Sequence, residues 1–373
     1  MANRAARRWS GAAALAGLAA ALLCLSGCQA LGLPGSPPTS PQPTSAPAVD
    51  VAPPLDCAAF TATPAVEALL GGSAPLATTP ADALTTPAGR GPFGAQAAGG
   101  GWCRWGDDPA ASPAATTAAV HLLSVQLLPR VTANWQWQAQ QYAQTSAMGA
   151  HYDGGESRGG DCGRATSGAG STCHTNVLVG GSWLAVVAMS STSIIDEKAF
   201  HALVQSFVPT VAAIDARATT PAPVTPLSCG DAAWLKAVAG IYGPASVAVV
   251  APAATFGLPN ALVADPRVTV CAYRSGSGDS SLIGTVSVLR GGSAAYATYH
   301  GLVVGRDPDA SGGTIQVGSS ELATLVRHTD ASASAPAETV VDALVGDAWI
   351  QFASVSGSDD QAASVVGWVA GRL

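Results

Sequence analysis

The chain has 373 residues, 48% of them hydrophobic and 11% charged, with a formal net charge of −7. Length allows two ordinary domains. The negative balance argues against nucleic-acid binding, which needs clustered Lys and Arg for phosphate contacts.

Arg4, Arg7 and Arg8 precede an apolar run from Gly11 to Leu25, which ends in Leu25-Ser26-Gly27-Cys28. The run is too short to cross a hydrocarbon layer of roughly 30 Å as a helix. A basic start, an apolar middle and small residues before a cysteine resemble a bacterial lipoprotein signal. Residues 1–27 are therefore expected to be a signal peptide, with Cys28 lipidated, palmitate among its acyl chains. Two or more chains hold a protein stably on a membrane, whereas one binds only marginally. The expected location is the extracytoplasmic face of the cell membrane. Residues 28–54 follow as a Pro-rich linker, with eight prolines in 29–54. Such a segment favours extended conformations and reaches on the order of 80 Å at about 3.1 Å per residue.

The rest of the sequence repeats. Leu55-Asp56-Cys57 recurs as Leu227-Ser228-Cys229, and each precedes a helix-compatible stretch, Val66–Leu70 and Trp234–Val238. Cys103-Arg104-Trp105 is answered by Cys271-Ala272-Tyr273, and Val125–Leu128 by Val286–Leu289. Val179-Gly180-Gly181-Ser182-Trp183-Leu184 matches Val345-Gly346-Asp347-Ala348-Trp349-Ile350 and reads as a β-hairpin turn. Both halves end in a helix opened by acids, Asp196-Glu197 and Asp359-Asp360, which suit the positive end of the helix dipole. The pattern predicts an α+β fold of two tandem copies of an antiparallel sheet packed with helices. Expected domains are 55–215 and 227–373, joined by a linker at 216–226. In each half the expected order is helix, strand, strand, helix, strand, strand, helix.

With Cys24 in the leader and Cys28 lipidated, six cysteines remain, which allow 15 connectivities. An oxidising compartment favours bridges. The duplication selects among them: Cys57–Cys103 and Cys229–Cys271 become equivalent, and Cys162–Cys173 is left as a clasp. His328 and Thr339 occupy its place in the second half.

No set of residues names a reaction. There is no Gly-x-Ser-x-Gly, and none of the six histidines has His-x-x-x-His spacing, so neither catalytic nor metal residues are assigned. Gly276-Ser277-Gly278-Asp279-Ser280 reads as a tight turn between strands. The segment from His151 to Cys173 carries Tyr152, Asp153 and Glu156 among glycines, and a clasp would preorganise it for a ligand. Trp135 and Trp137 stand about 200° apart on one helix, so if Trp135 packs inward Trp137 points away from the core. The favoured expectation is that loops cover Trp137; an uncovered Trp137 would suit a sugar ring or an apolar partner. Candidate ligand-binding residues are thus Trp137, Tyr152, Asp153 and Glu156. Trp105, Trp183 and Trp349 read as core.

The leading cysteine followed by Cys-x-Trp, as in Leu55-Asp56-Cys57 with Cys103-Arg104-Trp105, resembles small actinobacterial lipoprotein domains. The second half, with Tyr273 in place of the tryptophan, resembles them less closely. Those domains are similar in outline to extracellular sensor modules of actinobacterial receptor kinases, so the resemblance implies an envelope location and an α+β fold and brings no catalytic residue. The expected function is a lipid-anchored, extracytoplasmic lipoprotein that binds a ligand or an envelope partner without cofactor or catalysis. The alternatives are a cell-envelope hydrolase with its site between the halves, or a structural assembly protein.

Overall fold

The computed structural model describes residues 55–61, 64–70, 76–77, 88–106, 121–144, 146–164, 169–218, 224–250, 256–276, 281–329 and 337–373. The expected signal peptide, Cys28 and the linker 28–54 lie outside these residues, as do 219–223 of the linker at 216–226 and Ser277–Ser280 of the expected turn. Among the described residues no helix is long and apolar enough to cross a membrane.

The first half opens with α1 (Ala58–Thr61) and α2 (Pro64–Leu70), the latter starting on a proline, whose missing N–H costs nothing in the first turn. β1 (Leu76–Ala77), a 3-10 turn at Ala88–Arg90, α3 (Pro92–Ala97), β2 (Gly101–Gly106) and β3 (His121–Leu128) follow. Then come α4 (Thr132–Gln141), β4 (Glu156–Arg164), β5 (Ser171–Val179), β6 (Ser182–Ser190) and α5 (Glu197–Asp215). Asp196 caps α5 by accepting the Ala199 N–H at 2.7 Å.

The second half contains α6 (Ala232–Tyr242), β7 (Val247–Val250), α7 (Leu258–Val263), β8 (Val268–Ser275), β9 (Leu282–Leu289) and α8 (Ser293–Arg306). β10 (Ser311–Val317), β11 (Ser320–Thr329), β12 (Glu338–Val345), β13 (Ala348–Ser354) and α9 (Asp359–Ala370) complete it. A capping box between Ser358 and Gln361 starts α9.

The fold is α+β, with two antiparallel sheets packed with helices. The first sheet runs β1-β2-β3-β6-β5-β4, and the second, read from the matching end, β7-β8-β9-β13-β12-β11-β10. Each half has more strands than the four its sequence suggests: the first adds β1 and β4, and the second adds β7, β10 and β11, the last two lying between α8 and β12. β4 reads Glu-Ser-Arg-Gly-Gly-Asp-Cys-Gly-Arg, and an edge strand of that polarity shows no apolar alternation. β10 has no counterpart in the first sheet. The two Gly-rich turns match closely: Gly180 has φ +61° and Gly346 +59°, a backbone that glycine adopts without strain.

All three disulfides pair as the duplication implies: Cys57–Cys103, Cys162–Cys173 and Cys229–Cys271. Cys162 and Cys173 lie directly opposite on β4 and β5, and His328 and Thr339 lie opposite on β11 and β12.

Each sheet buries one face under its own helices. Phe60, Phe200, Leu203 and Phe207 cover the first, and Trp234, Val365, Val366 and Val369 the second. A third core joins the halves. In it the α3 region of the first half lies against the second: Phe93 packs on Tyr299 at 5.5 Å and on Trp349 at 5.4 Å. Reciprocally, Phe256, just before α7, packs on Trp135 at 5.3 Å and on Trp183 at 5.0 Å. Backbone contact is close enough that a Cβ at Gly89 would collide with Val270 Cγ2. Two glutamines stitch the exchange: Gln351 Oε1 accepts the Ala88 N–H at 2.9 Å, and Gln138 Oε1 accepts the Gly257 N–H at 3.0 Å.

Candidate binding site

Trp135 is fully buried, with its ring 4.7 Å from that of Trp183. Two residues on, Trp137 is 54% exposed, so loops do not cover it as expected. Its ring packs edge-to-face with that of Tyr142, the centroids 6.1 Å apart.

The other three candidates do not gather around Trp137. Tyr152 is buried, its hydroxyl 2.7 Å from His201 Nδ1, and burial pushes that hydroxyl above its ordinary range. The Asp153 carboxylate is exposed, 3.2 Å from His151 Nε2, while its backbone is clamped by the Gln205 side chain. Glu156 accepts from Arg158 Nε at 2.7 Å and from Trp135 Nε1 at 3.3 Å. The bond from Arg158 holds its carboxyl below the usual range. Tyr152 and Glu156 thus anchor the β4 side of the sheet, and Trp137 and Asp153 offer separate exposed groups.

β4 is also well guarded as an edge. It carries Glu156, Arg158, Asp161 and Arg164, and its register shifts between Arg158 and Gly160. The segment before it covers part of its outer side: Met148 bridges Arg158, and the Gly159 N–H donates to Ala147 O at 2.7 Å. Charges, bulges and a covering strand are the usual means of blocking edge pairing.

At the far end of the other sheet lies a concave surface. A groove of about 830 Å³ runs between β10 and α9. Its β side is Thr314 to Gly318, and its helical side is stepped by Ala363, Gly367 and Gly371, spaced four apart on one face. The helix sits tight on the strand: a Cβ at Gly367 would lie 3.5 Å from Ile315 Cδ1, and one at Gly371 3.8 Å from Val317 Cγ1. Ile315 and Val317 face this core, whereas Thr314 and Gln316 are exposed on the opposite face. Asp360 marks one end of the helix, and Arg372, stacked 3.8 Å over the Trp368 ring, marks the other. Among the described residues β10 pairs only with β11, so its outer backbone groups face the groove's open side.

Sequence reasoning did not find this groove. Its signal is short: the alternation in Thr314-Ile315-Gln316-Val317, and small residues every fourth position near the end of the last helix.

The seam between the halves is filled rather than open. Phe93, Trp135, Trp183, Tyr299 and Trp349 pack there, and among the described residues no three His, Cys, Asp or Glu side chains gather in a way that could hold a metal ion. One acid is enclosed. Asp342 is fully buried and accepts from Tyr299 Oη at 2.7 Å, Trp349 Nε1 at 2.8 Å and Gln351 Nε2 at 3.0 Å. Burial raises its carboxyl to about 6, although these bonds and Arg327 pull it down.

No family model, curated protein or solved structure matches this chain.

Proposed function

We propose that this chain is a lipid-anchored, extracytoplasmic protein that binds a ligand or partner and carries out no catalysis. The observation that carries the reading is the β10–α9 groove, where a strand edge with no partner among the described residues lies beside the last helix. Extended segments commonly dock this way, gaining main-chain bonds to the edge and side-chain specificity from the groove. The Leu25-Ser26-Gly27-Cys28 signal and the proline-rich spacer support placement outside the cytoplasmic membrane. The filled seam favours binding over a hydrolase working between the halves, which would need paired carboxylates across an open cleft.

A photoreactive residue in place of Ser364, which lines the groove, tests the binding half of the reading in intact cells. Discrete adducts are expected; their absence under conditions where the protein is abundant would remove the site. Radiolabelled palmitate should enter the wild type and not Cys28→Ala, and equal labelling would remove the anchor. Turnover of an ester, peptide or glycoside panel at enzyme-like rates, lost on a single substitution, would replace binding with catalysis.

A further inference from the structure

The edges of the two sheets are not alike, and the difference points to an occupant. β10 reads Ser-Gly-Gly-Thr-Ile-Gln-Val, without a charge or a proline, and its register with β11 is unbroken from Ser311 to Val317. An uncharged, unbulged edge of this length is what proteins avoid unless something pairs with it.

We propose that β10 pairs antiparallel with β10 of a second copy of this chain, centred on Thr314, joining the two seven-stranded sheets across a two-fold axis. This rests on the reading of the groove as a binding site and names its occupant. Three properties of the strand and helix fit a copy of themselves. Centring on Thr314 lets all seven residues pair and keeps the parity that faces Ile315 and Val317 toward α9 in both copies. It sets Ile315 opposite the partner copy's Gly313 and Val317 opposite its Ser311, so each branched side chain meets a small one in the groove. On the exposed face the two Thr314 side chains stand opposite each other, a favourable cross-strand pair.

Charge agrees with this symmetry. The two-fold axis runs the two α9 helices antiparallel, which sets the acidic end at Asp360 alongside the basic end at Arg372 of the other copy. The helix dipoles then oppose as well. A parallel arrangement would place like charges together.

The test uses the full chain in mild detergent, with one cysteine introduced on the exposed face of β10. Under gentle oxidation Thr314→Cys should shift from monomer to a covalent dimer whose bridge maps to position 314 in both copies. Gln316→Cys should not, because antiparallel pairing separates the two 316 positions by about 14 Å along the strand. In sedimentation the wild type should rise toward twice the monomer mass with concentration. Thr314→Lys, on an exposed side chain and so not expected to disturb folding, should stay monomeric. Equal cross-linking at both positions, or a dimer that survives Thr314→Lys, overturns the proposal. If Thr314→Cys fails to cross-link while Ser364 photo-adducts contain a different protein, the second copy is wrong and the binding groove stands. If neither forms, both readings fall.

Discussion

The two halves solve the same hairpin in different ways. In the first, Cys162 and Cys173 lock β4 to β5, and the segment around Met148 lies along the outer edge. In the second, His328 and Thr339 hold the matching positions with their side chains 3.3 Å apart, and both reach Asp359 at the start of α9, at 3.4 and 3.3 Å. The first half thus closes its edge with a covalent clasp. The second ties its hairpin to the last helix with reversible bonds and carries one more strand, whose far side has no partner among the described residues. The difference teaches that duplication preserved the sheet order and the helix-to-strand disulfide, while the edges diverged. One was sealed and the other left able to pair.

What the halves share should give the largest effect when broken. Phe93→Ala removes a fully enclosed ring from between Tyr299 and Trp349 and should cost about 3–5 kcal/mol in urea unfolding. Because the central core draws on both halves, the protein should still unfold in one transition. Two separate transitions would mean that the halves support themselves independently.

Next comes the clasp. Replacing Cys162 and Cys173 together with alanine opens a loop of 11 residues and should cost about 3 kcal/mol on the chain-entropy estimate. Amide hydrogen exchange should quicken along β4 and leave β10 unchanged. Faster exchange in β10 would mean that the two edges are coupled through the molecule rather than independent.

The smallest effect sharpens the comparison at the seam. Where the first half has Trp183 Nε1 donating to Asn176 at 2.9 Å, the second has Trp349 Nε1 donating to Asp342. Burial lifts Asp342 to about 6, so the native state takes up this proton at higher pH than the unfolded chain does. Its contribution is therefore most favourable below about pH 4 and is lost as pH rises through 6. The change is at most about 3 kcal/mol. Asp342→Asn should remove that slope from stability measured between pH 4 and 7, and an unchanged slope would assign it to other groups.

Much of this was legible in residues that a long-range duplication constrains. The matching Val-Gly-x-x-Trp runs gave the β5–β6 and β12–β13 hairpins and set His328 opposite Thr339. The near-equal cysteine separations gave the bridges. The three tryptophans read as core are all buried. Edges and the seam were not legible, for two physical reasons. Edge strands such as Glu156–Arg164 lack a buried face along much of their length and so lose the period-two signal. The α3 and α7 regions are six-residue helices opened by proline, whose packing partners lie in the other half, and no local pattern encodes that exchange. Trp137 stayed uncovered for the same reason, since cover is a property of loops far away in sequence.

The most direct test of one open edge and one sealed edge is amide hydrogen exchange on the chain at high concentration, set against the same chain dilute. Added protection across 311–317 at high concentration, with no change across 156–164, is the predicted result. Protection gained at 156–164, or no gain at 311–317, would contradict it.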